Sequence, residues 1–442
     1  MAEVIPFKGI RFNPRLIPNL ADVVTPPFDV ITEREQRHFY ARHPHNVIRL
    51  ILGKTFENDT PHNNRYSRAA GDLDNWFKKG ILIQDDAPAF YLTAVDFTYK
   101  SQPFQRYGLI ASVKLEPFEK GVVLPHEKTF SKVKLDRLEL MKACRMNFSP
   151  IFAVYPDDTG LLNSLKEKVS ARKAQAEFEF LDGTRHQIWR VTDPSHLKTV
   201  TRLMKNRKIF IADGHHRYET ALAFQAWLKK TVGQAGVRHP AGYVMMYLSS
   251  MSDPGLIILP AHRMFKDLPD AGLGSLISKA GEFFTIRELP FSPEKRQDVQ
   301  SDLSASLGRH RTENSIGVFM KNTTCFYLLT LKPGTMTRRF KDEIPDALRT
   351  LDVTVLTRLL LMEVLGFDQD RLDDEKRVGY ASTESQAIEA VAAGEYDITF
   401  LLNPTRIDQV RQVAEAGLIM PRKSTYFYPK VLAGQVFHAL DR

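Results

Sequence analysis

The sequence predicts a mixed α/β (α+β) protein of more than one domain, on three observations. A chain of 442 residues is too long for one ordinary core, and 43% hydrophobic with 26% charged residues is the composition of a globular protein. Apolar runs of strand length at 149–155 and 208–212 alternate with helix-period stretches such as 217–232, where Ala221, Leu222, Phe224 and Leu228 fall on one face. Turn clusters, among them Pro26-Pro27, Leu268-Pro269-Asp270 and Lys332-Pro333-Gly334, punctuate the remainder.

Three blocks follow. Residues 1–106 form an N-terminal module with one amphipathic helix, in which Tyr66, Ala70, Leu73 and Trp76 recur at helical spacing before Gly80 ends it. Its loops at 26–31 and 43–50 pass from turn residues into strand-like apolar runs, junctions that often hold ligands, which makes His45 and Asn46 candidate substrate contacts; the plainer and favoured reading is that the prolines fix strand ends and the histidines are solvated. Residues 107–264 read as the α/β domain that carries the chemistry, with a helix at 135–144. Residues 265–442 read as an accessory domain, with 290–299 as an exposed linker. Its end, 420–430, combines cations, hydroxyls and aromatics with little periodicity. That segment is expected to return to the site, where Arg422, Lys423, Ser424 and Thr425 would grip an anionic substrate, or else to dock Tyr426, Phe427 and Tyr428 in a groove.

Composition removes several classes. The net charge of +9 comes from 61 basic residues scattered among 52 acidic ones rather than gathered in a stripe, so a nucleic-acid partner is not expected. Glu3 and Pro6 interrupt the start where a secretory signal needs a basic cap and an apolar stretch, and no apolar run approaches the roughly 20 residues of a membrane span. Cys144 and Cys325 lack zinc or disulfide spacing, which fits a reducing compartment and a cytoplasmic protein. Nothing in the sequence fixes an oligomeric state.

The chemistry gathers at Asp213-Gly214-His215-His216-Arg217, the joint between a strand and a helix. Glycine there lets a ligand approach the backbone, and the helix presents unpaired N–H groups and a positive dipole end, an arrangement that attracts phosphate. His215, His216 and Arg217 are expected to add side-chain donors, with Arg217 gripping bidentately. The plainer reading makes Asp213 a helix cap and the histidines exposed polar residues. Direct metal coordination is disfavoured, because adjacent residues seldom point the same way and no HExxH or Cys pair accompanies them. A second constellation, Leu124-Pro125-His126-Glu127-Lys128-Thr129, puts a carboxylate in a proline-started loop, where it could serve as general base or be an exposed acid beside a helix.

Leu-Pro-His-Glu followed by Asp-Gly-His-His-Arg resembles the ParB/sulfiredoxin-like free serine kinases, which phosphorylate L-serine. The resemblance implies a ParB/sulfiredoxin-like central domain with accessory modules on either side. It implies Glu127 as base, with His126 and Arg217 in the catalytic set, and Asp213 to Arg217 holding the phosphates of ATP or ADP, with Mg bound through them. Almost the whole chain also resembles a large family known as conserved domain of unknown function number one thousand and fifteen. That likeness rests on 27–31, 43–50, 126–129, 136–138, 147–152, 213–221 and 420–430. Sulfiredoxins need a cysteine where this chain has His215, and ParB proteins carry Gly-Glu-Arg-Arg and a helical DNA-binding module. Walker and dinucleotide glycine patterns do not occur, so any nucleotide must use the Asp213–Arg217 joint. The expected activity is phosphoryl transfer to the hydroxyl of a small metabolite. The alternative is a ParB-like nucleotide-binding regulator or DNA-binding protein without transfer.

Overall fold

The computed structural model describes residues 2–233, 239–374 and 376–441, in two compact units. The first comprises Met1–Ile257 together with Pro429–Arg442, the second Ile258–Tyr428.

The first unit is built on a nine-stranded mixed sheet. Its strands are β1 (Val4–Ile5), β2 (Phe90–Tyr99), β3 (Gln102–Lys114), β4 (Val123–Leu124), β5 (Ile151–Tyr155), β6 (Ala176–Glu179), β7 (Arg185–Val191), β8 (Ile209–Asp213) and β9 (Tyr243–Ser250). They lie in the order β4-β8-β5-β9-β3-β2-β7-β6, with β1 added on β3. The β2–β3 hairpin closes through Lys100 and Ser101, both at positive φ (48° and 60°), the geometry a two-residue turn needs to match strand twist. Two pairs are parallel, β4 with β8 and β5 with β9. Both strands flanking the joint, β5 and β8, are buried almost throughout, which is why they read as unbroken apolar runs.

Three helices matter for the site: α1 (Arg65–Lys78), α2 (Ser131–Cys144) and α3 (His215–Val232). Tyr218 and Ala221 of α3 enter the core beneath the sheet beside Ile151, Ile209 and Met246, while Phe224 and Leu228 pack with Leu440. Leu73 and Trp76 of α1 and Leu140 and Cys144 of α2 meet Val47, Ala433 and Phe437 in a second core. Residues 429–442 are therefore structural members of the first unit, tied in by Ile10–Phe437, Thr25–Ala433 and Asn147–His438 pairings.

The second unit carries a six-stranded sheet of β10 (His262–Phe265), β11 (Phe284–Pro290), β12 (Ser315–Met320), β13 (Cys325–Leu331), β14 (Val378–Ala381) and β15 (Ile398–Leu402). Its order is β11-β13-β12-β15-β10-β14, and every neighbouring pair is antiparallel.

Several expectations are corrected. The division at 106/107 falls inside β3, in the middle of a hairpin, and 429–442 belong with the first unit rather than with an accessory domain. Residues 26–31 and 43–50 do not enter strands: Phe28–Val30 is a 3-10 turn and Ile48–Ile51 a helical turn, because so short an apolar run carries no period to choose between them. The linker expected at 290–299 is the end of β11, a 3-10 turn and the start of a helix at Arg296–Arg309, whose Leu303 and Leu307 are buried. Within the terminal run, Tyr426–Tyr428 is a short strand with Phe427 buried. No helix among the described residues is long and apolar enough to cross a membrane.

Candidate active site

Topology brings the two motifs together. Because β4 and β8 are parallel neighbours, their C-terminal ends lie side by side, and the loop after Leu124 emerges next to Asp213 and Gly214. Strand β5 runs antiparallel to β8, so its start, preceded by Pro150, reaches the same edge. A register shift in β8 between Ile211 and Asp213 re-aims the last residue of the strand, as bulges beside functional sites do.

Gly214 caps α3 at φ +100°, a conformation that disfavours any L side chain, and a Cβ there would lie 2.8–2.9 Å from the Arg217 guanidinium. The guanidinium folds back through that space. Its Nη2 donates to Asp213 Oδ2 at 2.7 Å and its Nη1 donates to the Pro150 carbonyl, locking strand end, helix start and β5 together. Lys430 pairs with the other oxygen of Asp213. Gly214, the N-cap residue of α3, provides no side-chain cap for the first-turn amides.

The loop after β4 is fastened to α3 residue by residue. The His126 amide donates to His215 Nε2 at 3.2 Å, and the Phe130 amide donates to His216 Nε2 at 3.0 Å. Thr129 donates to Glu219 at 2.8 Å, and Lys134 pairs with the same carboxylate. Both imidazoles thus act as acceptors for backbone N–H groups. The expectation that they would donate to phosphate is corrected for the Nε2 atoms, which the loop already occupies. Arg217, expected to grip phosphate with both arms, likewise has both terminal nitrogens engaged.

Glu127 sits between these fastenings, its Oε2 3.4 Å from His215 Nδ1. Since His215 Nε2 accepts, Nδ1 is the nitrogen left to carry the proton, and it faces the carboxylate. Burial raises the Glu127 carboxyl, but contact with His215 and the positive influence of His215, His126 and Lys430 outweigh burial and hold it down at about 2. Burial, reinforced by the His215 ring 4.7 Å away, lowers His126 to about 4. Burial also acts to raise Asp213, yet Lys430 and Arg217 bring it below the usual carboxylate range.

Asp29, within the 27–31 segment, joins the site without any sequence signal that singles it out. It is crowded by protein yet solvent-exposed, the situation of a group on a concave wall, and burial and the Asp213 charge raise its pKa. Lys430, 217 positions beyond Asp213, was also missed as a partner. Only its place in the 420–430 segment hinted at a role. Beside the turn lies a small, mainly apolar cleft, whose lining includes Phe28, Met141, Met146, Thr220, Arg137 and Arg217. Arg137 lies 4.1 Å over the Phe28 ring and donates to the Ile51 carbonyl.

The remaining expected contacts have these local partners. Asn46 is buried, donating to the Asp22 carbonyl and accepting from the Ile48 amide. His45 packs edge-on to Trp76 at 5.6 Å. Arg422, Lys423, Ser424 and Thr425 belong to the second unit: Ser424 donates to Pro421, the Arg422 carbonyl accepts from Arg263, Lys423 takes a left-handed φ of 54°, and Thr425 leads into Tyr426–Tyr428.

No curated protein matches the chain in sequence. Among solved structures, it is similar to a variant free serine kinase in complex with AMP, at 13% identity and a TM-score of 0.35, covering 76% of this chain and 92% of that one. It is also similar to a conserved hypothetical protein from Pyrococcus furiosus, at 13% identity and 0.33, covering 73% and 92%. A C-terminally truncated SbnI from Staphylococcus aureus follows at 9% and 0.31, covering 73% and 86%. Scores and identities this low describe a distant likeness and carry no activity with them. The sequence matches the family described as protein of unknown function, DUF1015, over residues 4–354, and the chain belongs to that family.

Proposed function

We propose that the first unit is a nucleotide-dependent kinase that transfers a phosphoryl group from ATP or ADP to the hydroxyl of a small metabolite, with L-serine as the leading acceptor, in the cytoplasm. One observation carries the reading: the Glu127 carboxylate stands 3.4 Å from His215, the first residue of α3, beside the glycine turn that opens that helix.

The first-turn amides and dipole of α3, with Lys430 nearby, suit the phosphates of a nucleotide. A carboxylate held at about 2 stays charged at neutral pH but is a weak base. Its role is then to align the acceptor hydroxyl and take its proton late, which suits a loose phosphoryl transfer in which positioning supplies most of the rate. Arg217 acts through Asp213 and Pro150, holding the turn in shape. Among the described residues no three His, Cys, Asp or Glu side chains gather to hold a metal. Mg²⁺ would therefore be held mainly through phosphate oxygens, whose charge it would offset, with exposed Asp29 as the carboxylate suited to it.

The test incubates purified protein with ATP or ADP, Mg²⁺ and pooled hydroxylated metabolites, and follows new phosphorylated masses. A phosphorylated product that needs Glu127 supports the kinase. Nucleotide binding without any product would support the regulator, a reading favoured by the engagement of both Arg217 terminal nitrogens in structure.

A further inference from the structure

The function above makes no use of a pocket in the N-terminal part of the first unit. It is an open depression lined by Arg37, Tyr40, Arg49, Lys54, Phe56, Arg65, Arg68 and Asp72, among others. Five cations face one acid in the lining. Two of the five are matched elsewhere, Arg68 by Asp59 at 2.7 Å and Arg65 by Asp136, and exposed Arg37 lies 4.0 Å from Glu33. Arg49 and Lys54 have no ion-pair partner among the described residues.

These two cations are also held in place. The Arg49 guanidinium lies 4.6 Å from the centroid of the Tyr40 ring, and the Lys54 ammonium 4.7 Å from it. The Lys54 amide donates to the Tyr40 hydroxyl at 3.0 Å, and Arg49 Nη2 donates to the Tyr40 carbonyl at 3.2 Å. Arg49 Nε is buried with no hydrogen-bond partner, an unmet donor that normally costs about 1–3 kcal/mol. Arg68 donates to the Lys54 carbonyl at 2.8 Å and lies 4.8 Å from the centroid of the exposed Phe56 ring. Two pre-positioned cations without a salt bridge, facing the single carboxylate of Asp72, and an exposed aromatic around one concavity suit a compact anion bearing several charges.

We propose that this pocket binds a phosphorylated small molecule carrying two or more phosphate charges, at a site separate from the Asp213–Arg217 turn. The inference does not rest on the kinase reading, because no residue is shared between the two sites.

The experiment uses the full chain and inorganic tripolyphosphate as probe, at constant ionic strength, with lysine-acylation footprinting read by mass spectrometry. Lys54 is expected to be protected at least five-fold at submillimolar probe, while Lys198, exposed elsewhere, is unaffected. Calorimetry is expected to lose one class of sites in the double variant Arg49→Gln/Lys54→Gln, with affinity there reduced at least ten-fold, and to keep it in Lys198→Gln. Equal protection of all lysines, or equal protection by sulfate at the same ionic strength, would overturn the proposal. So would a single-stranded oligonucleotide that binds through the same two residues far more tightly than tripolyphosphate. Protection of Lys54 without phosphorylated product would sink the kinase and leave this site standing.

Discussion

The two sheets differ in one respect that decides where chemistry can collect. In the six-stranded sheet of the second unit every neighbouring pair is antiparallel, so neighbouring strands end at opposite edges. In the first unit β4 and β8 are parallel, and two loops that follow strands far apart in sequence open at one edge. Glu127 and the Asp213–Arg217 turn meet there because of strand direction. Ligands of open α/β sheets gather beyond the carboxyl ends of strands for the same reason.

The sharpest way to break the contrast is to disable one carboxylate in each unit. Glu127→Gln should reduce turnover about 10³-fold while nucleotide affinity stays within about two-fold by calorimetry. Asp352→Asn, in the second unit, should leave turnover within about two-fold. Lys430→Met leaves Asp213 with one cation at a nearly buried site, where each side chain is 13% exposed, and should cost about 3 kcal/mol in urea denaturation. Gly214→Ala must adopt φ +100° and displace the Arg217 guanidinium, so a loss of about 2 kcal/mol is expected, with weaker nucleotide binding.

Acid acts with a smaller effect, and in opposite senses, on three buried histidines of the first unit and one buried aspartate of the second. His126, His186 and His438, all in the first unit, are lowered by burial from 6.5 to about 4. A histidine whose folded pKa is depressed gives stability that is complete above 6.5 and falls as pH drops towards 4, since the unfolded chain takes up protons first. Asp352 runs the other way: burial raises it from 3.8 to about 6, so its penalty is complete above 6 and is relieved as pH falls towards 3.8. Hydrogen exchange between pH 7 and 5, normalised for intrinsic rates, should show protection falling in Met1–Ile257 before Ile258–Tyr428. Equal changes in both would contradict it.

Much of this was legible beforehand where a residue pattern answers to local geometry. The runs at 151–155 and 209–212 are strands, and the 217–232 pattern is a helix, because burial on both faces and a 3.6-residue period leave marks in the sequence. Domain limits were not legible, since neither β3 nor the segment after Pro429 announces which strands it will pair with. Nor was the duty of the twin histidines, because whether an imidazole donates or accepts depends on which amide arrives at its far nitrogen. Lys430 was hidden by the same distance in sequence that makes it informative in the fold.

The split first unit also shapes how the protein is made. Ala433 and Phe437, fully buried, and Leu440 fill its cores, yet they lie beyond all of Ile258–Tyr428. During synthesis the apolar surfaces they cover, including Trp76 and Val47, stay open while the second unit is being translated. A nascent chain that ends before 429 therefore leaves an apolar groove uncovered, and the Lys430–Asp213 pair cannot form until that last segment has been made.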